Sequence, residues 1–223
     1  VSIRGKSINL FLMDGTASGR IKCTLANWTG VAYKLPRTEL DKCKGRDDLS
    51  QSGVYFLFGT SDQTGESVVY IGQAGTRKNG EGILYRLQEH KRNPDKDYWT
   101  EAVVFTTSNN SFGPTEISYL ENRFTNLALT AKRYAVKNGN DPTPGNITEE
   151  KESELEEFID YSKIVMGALG HKVFESLAVL KPPIETNSDT ANEGDELLLH
   201  LKRKSRKSGQ TIEADCKQTT EGF

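Results

Sequence analysis

Long apolar runs are missing from this sequence. Its wholly apolar stretches are only a few residues long, as in Val54–Phe58. A membrane-spanning helix needs roughly 18 to 20. The opening residues, Val1-Ser2-Ile3-Arg4-Gly5, hold no apolar run of signal-peptide length. Neither a secreted nor a membrane-embedded chain is expected. Cysteine is also scarce: Cys23, Cys43 and Cys216 lie far apart, and no Cys-x-x-Cys pair occurs. That excludes a disulfide framework and a Cys-based zinc site, and it points to the cytoplasm. What is present suffices for one sizeable domain or two small ones: 223 residues, 35% hydrophobic and 27% charged. The net charge of −2 divides unevenly, with +5 over residues 1–140 and −7 over 141–223. A basic front part suits a polyanionic partner, though ordinary solvated surfaces give the same balance.

Turn signals and alternation divide the chain into elements. Ile8–Asp14 and Arg20–Asn27 alternate around Gly15–Gly19 and read as a β-hairpin. Pro36–Leu40 suggests a short helix with Pro in its first turn. Gly53–Gly59 and Ser67–Gly72 are strands joined by a polar link, so they should pair antiparallel, and Thr100–Thr107 makes a third. Helical spacing marks Gly82–Arg92, a long helix from Pro114 to about Arg133, and an acidic one over Ile147–Gly170. In the last, Leu155, Phe158, Ile159 and Val165 are spaced to dock. Gly139–Asn146 is read as ending the compact part. Lys181–Glu196 has the composition of a linker, and Leu197–Phe223 looks like the start of a further module that opens with a strand. The expected divisions are residues 1–50, 51–140, 146–180, 181–196 and 197–223.

Gly53-Val54-Tyr55 and Tyr70-Ile71-Gly72 put tyrosines on neighbouring strands, which by themselves read as core residues. Arg86 and His90 are four apart on one helix and reach the same space. On the later helix, with Ile117 at zero, Leu120 falls at about 300°, Phe124 at about 340° and Glu121 at about 40°. Glu121 therefore stands at the edge of the apolar stripe, where an anion is costly unless paired or bound to a metal. Asn138 follows shortly after that helix.

Over residues 51–140, this order of Tyr, Tyr, Arg, Glu and Asn resembles the GIY-YIG nuclease superfamily. The hairpin and the segment Asn27-Trp28-Thr29-Gly30 resemble the N-terminal extension of a prokaryotic subgroup, which often carries a small C-terminal domain. The chain departs from the family in an inserted stretch, Thr76–Gly82, and in Gln73, which stands where the excision-repair nucleases have Lys. The resemblance implies an α+β fold: a three-stranded antiparallel sheet flanked by helices, with an N-terminal hairpin extension and a C-terminal helix.

It also implies a metal-dependent endonuclease in which water attacks a phosphodiester, with DNA the expected polymer and no membrane partner. Glu121 would hold one Mg²⁺ or Mn²⁺. Arg86 would bind the scissile phosphate. Tyr55 would orient or deprotonate the attacking water, with Tyr70 on the phosphate or sharing that task. An unperturbed phenol is a poor base at neutral pH, so Arg86, a protonated His90 or the metal is expected to favour the Tyr55 phenolate. His90 is also the candidate to replace the missing Lys, and Asn138 is a positioning group. Lys78, Lys91 and Arg92 would track the nucleic-acid backbone. The alternative is a catalytically silent module that binds nucleic acid or a protein and retains the fold.

Overall fold

A computed structural model describes residues 4–76, 81–139 and 142–176, together with the backbone of 198–204 and 211–217. Strand β1 (Ile8–Leu12) and β2 (Ile21–Leu25) form the expected hairpin. Next comes β3 (Gly30–Pro36), which is not among the expected elements. Its residues Gly30 to Tyr33 are all buried, so no polar/apolar alternation marks it. Arg37–Cys43 then forms a 3₁₀ helix.

The central strands are β4 (Gly53–Thr60), β5 (Ser67–Ala74) and β6 (Trp99–Thr107), in the order β6-β4-β5 with antiparallel pairing throughout. The class is α+β, as expected, but the sheet has seven strands rather than three. The reason is β3: it pairs with β6 from Gly30↔Thr107 to Pro36↔Glu101, which fuses the N-terminal hairpin to the central strands. At the other side a two-residue strand, β7 (Ala135–Val136), pairs parallel with Val68 and Val69 of β5.

Alternation along β4 feeds two cores. Val54, Phe56 and Phe58 point to one face and pack with Leu120 and Phe124 of α2 (Pro114–Ala131) and with Phe158 and Ile159 of α3 (Glu149–Ala168). Tyr55 and Leu57 point to the other, under Ile83 and Leu87 of α1 (Ile83–Arg92) and Leu40 of the 3₁₀ helix. Helix α2 starts at Pro114, and the Gly113 N–H donates to the Glu116 carboxylate at 3.0 Å. Glycines near 139–146 do not end the compact part. Leu155, Phe158, Ile159 and Val165 of α3 are buried in the shared core, and Trp28 from the extension packs on Phe158 at 4.9 Å.

Val1–Leu180 make one compact unit and Lys181–Phe223 a second. The extension, the central segment and the acidic helix thus belong to one body. In the second unit β8 (Leu198–Lys204) and β9 (Thr211–Lys217) pair antiparallel. The linker expected at 181–196 lies outside the described residues. No described helix is long and apolar enough to cross a membrane.

Candidate active site

The two tyrosines stand on adjacent strands, Tyr55 opposite Gly72 and Leu57 opposite Tyr70. Glycine at 72 is a steric requirement: a Cβ there would overlap the Tyr55 ring and hydroxyl. Tyr55 is only 1% exposed, and its hydroxyl is 2.7 Å from Nε2 of the buried His90 on α1. Tyr70 is half-buried, with its ring 6.3 Å from that of Tyr55 and 5.4 Å from the His90 imidazole. Arg86, one turn before His90, donates to Glu89 at 2.8 Å and keeps part of its guanidinium in solvent. Its charge also reaches both tyrosines and Glu121.

Glu121 is half-buried, as its place at the stripe edge predicts, between the fully buried Leu120 and the buried Asn122. Arg123, the obvious surface partner, is taken by Glu156 of α3, with a second contact at 2.9 Å. Gln73, the residue after Tyr70-Ile71-Gly72, lies within electrostatic reach of Glu121, and its amide donates to Ser118 at 3.4 Å. Tyr55, Tyr70, Arg86 and Glu121 therefore share one electrostatic neighbourhood, although they come from β4, β5, α1 and α2.

The charges in this neighbourhood differ from expectation. Burial pushes the Tyr55 phenol well above its usual pKa; Tyr70 and Glu121 add to that, and Arg86 opposes it without prevailing. Burial raises Tyr70 as well, helped by Glu121. For His90, burial first and then Lys96 and Arg86 lower the pKa to about 3. His90 is thus neutral at physiological pH, and the expectation of an imidazolium favouring a Tyr55 phenolate is corrected: desolvation outweighs the nearby positive charge. Burial likewise raises Glu121, against Gln73 and Arg86.

Among Asn138 and the described basic residues, Lys91 alone departs from expectation. Asn138 acts on the backbone of β5 between the two site residues. Its amide accepts from the Ile71 N–H at 3.0 Å and donates to the Ile71 carbonyl at 2.7 Å, extending the edge pairing of β5 beyond β7. It holds the strand between Tyr70 and Gly72. Lys91 is ion-paired to Asp41 of the 3₁₀ helix at 3.1 Å, which reduces its availability to a polyanion. Arg92 is exposed, and Lys78 lies outside the described residues.

Sequence reasoning missed Lys96. It ends a 3₁₀ helix, Pro94–Lys96, and its Nζ lies 3.3 Å from the centroid of the Tyr70 ring. No periodicity surrounds it; Asn93-Pro94, a turn signal directly after α1, was the only local cue. Glu89, the partner of Arg86, was missed too, because a Glu three residues along a helix reads as a surface pair. Comparison with known proteins gives no matching family model, no matching curated protein and no matching solved structure.

Proposed function

We propose that this chain is a metal-dependent endonuclease that hydrolyses phosphodiester bonds, with DNA as the expected substrate. The observation that carries the reading is the packing of Tyr55, Tyr70 and His90 together, with Arg86 one turn before His90 and the half-buried Glu121 within electrostatic reach of Arg86 and Tyr70. Its motif resemblance to GIY-YIG nucleases, set out above, points the same way.

Glu121 fits a hard cation. Its carboxylate is partly desolvated, and it makes no ion pair with Lys or Arg within bonding distance among the described residues. Among those residues no three His, Cys, Asp or Glu side chains come together as a metal cage. Glu121 would therefore hold Mg²⁺ or Mn²⁺ as its single protein ligand, with water and substrate oxygens completing the shell. Bound there, the ion supplies positive charge to the phosphoryl oxygens.

The side chains divide the remaining work. Arg86, oriented by Glu89, offers its free guanidinium N–H groups to two phosphate oxygens. Tyr70 is the more accessible of the two phenols, so its hydroxyl meets the attacking water, and Tyr55 lies behind it on His90. As the water oxygen bonds to phosphorus, its proton passes to the Tyr70 oxygen. Tyr70, which reaches solvent, releases its own proton to water, and the buried Tyr55–His90 pair fixes its ring from behind. The P–O bond to the leaving group breaks, and that oxygen takes a proton from solvent. Tyr70 thus passes a proton through without needing a stable phenolate.

One observation favours a second reading, a silent nucleic-acid-binding module. Tyr55 is nearly sealed from solvent and its phenol is hard to ionise. Incubating the protein with duplex, single-stranded and branched DNA and with RNA, with and without Mg²⁺, separates the two. The nuclease reading expects Mg²⁺-dependent scission; retention of nucleic acid without scission supports the module.

A further inference from the structure

We propose that Lys96 is a second anion-binding residue of this site, holding a phosphate-type oxyanion beside Arg86. The proposal deepens the nuclease reading and rests on it for naming that anion as a phosphodiester.

Lys96 is placed, not loosely tethered. Asn93 accepts the Asp95 N–H at 3.0 Å and Pro94 starts the turn that carries it. From the other side, Arg37 of the N-terminal extension brackets the segment. It donates to the carbonyls of Lys91 at 3.1 Å, Asp97 at 2.9 Å and Trp99 at 3.2 Å. Between these anchors the Lys96 ammonium is set over the face of Tyr70.

Its charge is poorly compensated. Lys96 is half-buried, and it makes no ion pair with a carboxylate among the described residues. The neighbouring Asp97 carboxylate turns instead to Arg37 at 2.8 Å. A desolvated ammonium over an aromatic ring recovers only part of what it loses in leaving water. Arg86 makes matters worse by repulsion, and burial with Arg86 lowers the ammonium pKa to about 8. The group still carries most of its charge at pH 7.

Two cations that repel each other beside one phenol are stabilised together by a shared anion. A phosphodiester suits that role, because it offers two non-bridging oxygens, one to a planar fork and one to a point charge. Arg86 and Lys96 supply those two kinds of donor.

The test is thermal melting of the parent, Lys96→Met and Lys96→Arg in increasing inorganic phosphate, alongside Mg²⁺-dependent DNA cleavage. Phosphate should raise the melting temperature of the parent and of Lys96→Arg. In Lys96→Met its apparent dissociation constant should rise about 10-fold or more. Without phosphate, Lys96→Met should melt at or above the parent, since a repulsive charge has gone; Lys96→Gln serves as a second neutral variant if Met disturbs the turn. Equal phosphate responses in parent and neutral variants, or none in the parent, overturn the proposal. Cleavage keeps the two readings apart. Equal cleavage and equal phosphate response in parent and Lys96→Met remove Lys96 from the site and leave the nuclease standing. A phosphate response that depends on Lys96 in a protein that cuts no nucleic acid removes the nuclease and leaves the anion site.

Discussion

The Tyr55 hydroxyl and His90 Nε2 are 2.7 Å apart, both side chains buried, across 35 residues of sequence. The contact ties the central strand β4 to α1 and satisfies two polar groups that would otherwise be stranded in an apolar core. It therefore serves stability as well as chemistry.

Tyr55→Phe tests both roles. Deleting the hydroxyl leaves the His90 nitrogen buried without its partner, at a cost of about 1–3 kcal/mol. Denaturant or thermal unfolding should show that loss. Cleavage should fall as well, because the Tyr70 ring loses the fixed support behind it. Unchanged stability would mean that water replaces the missing hydroxyl.

His90 also sets an acid limit. Its pKa is held near 3 by burial in the folded protein, below the usual 6.5. The unfolded chain thus binds the proton first, and the stability is complete above pH 6.5 and is lost as pH falls toward 3. At pH 5 the loss is about 2 kcal/mol. Melting temperatures of the parent and of His90→Gln should diverge in slope below pH 6.5, the variant being flatter. Parallel curves would show that His90 is already charged or freely solvated.

Gly72→Ala should disturb the site without touching any polar group. The new methyl would collide with the Tyr55 ring, and such overpacking costs about 1–3 kcal/mol. Lower stability together with weaker cleavage is expected; an alanine tolerated in both assays would mean that β5 shifts freely against β4.

Arg37→Ala removes three bonds to backbone carbonyls and the pair with Asp97. The side chain also stacks on Trp99, 5.0 Å from the ring centre. A destabilisation of about 2 kcal/mol is expected. Proteolysis should then become faster within residues 93–98, which carry Lys96. An unchanged proteolytic pattern would show that the turn stands without the extension.

Much of this architecture was legible from short-range pattern. The central strands, α1, α2 and α3 each carry a turn signal or a period of their own, and the helical wheel placed Glu121 correctly at the edge of the α2 stripe. Strand β3 was not legible, because its residues are buried on both faces and so lack alternation. Missing it hid the fusion that makes a seven-stranded sheet. Within the site, residue order picks out candidate groups, but not how burial ranks against charge. His90 looked like a cation beside a phenol; the walls around it keep it neutral. Asn138, expected as a positioning group, is bonded to the Ile71 backbone between Tyr70 and Gly72. Lys96 depends on a turn held by Arg37, some 60 residues earlier, and no local pattern carries that information.

Glu121→Gln is the most direct measurement. The substitution keeps the shape of the side chain but removes the charge that would hold the metal. With Mg²⁺ present, the parent should cut DNA, and purified Glu121→Gln should show near-complete loss of cleavage. Its melting temperature should stay near that of the parent, and it should still bind DNA through the remaining lysines and arginines. A folded Glu121→Gln protein that cleaves as fast as the parent would contradict the account.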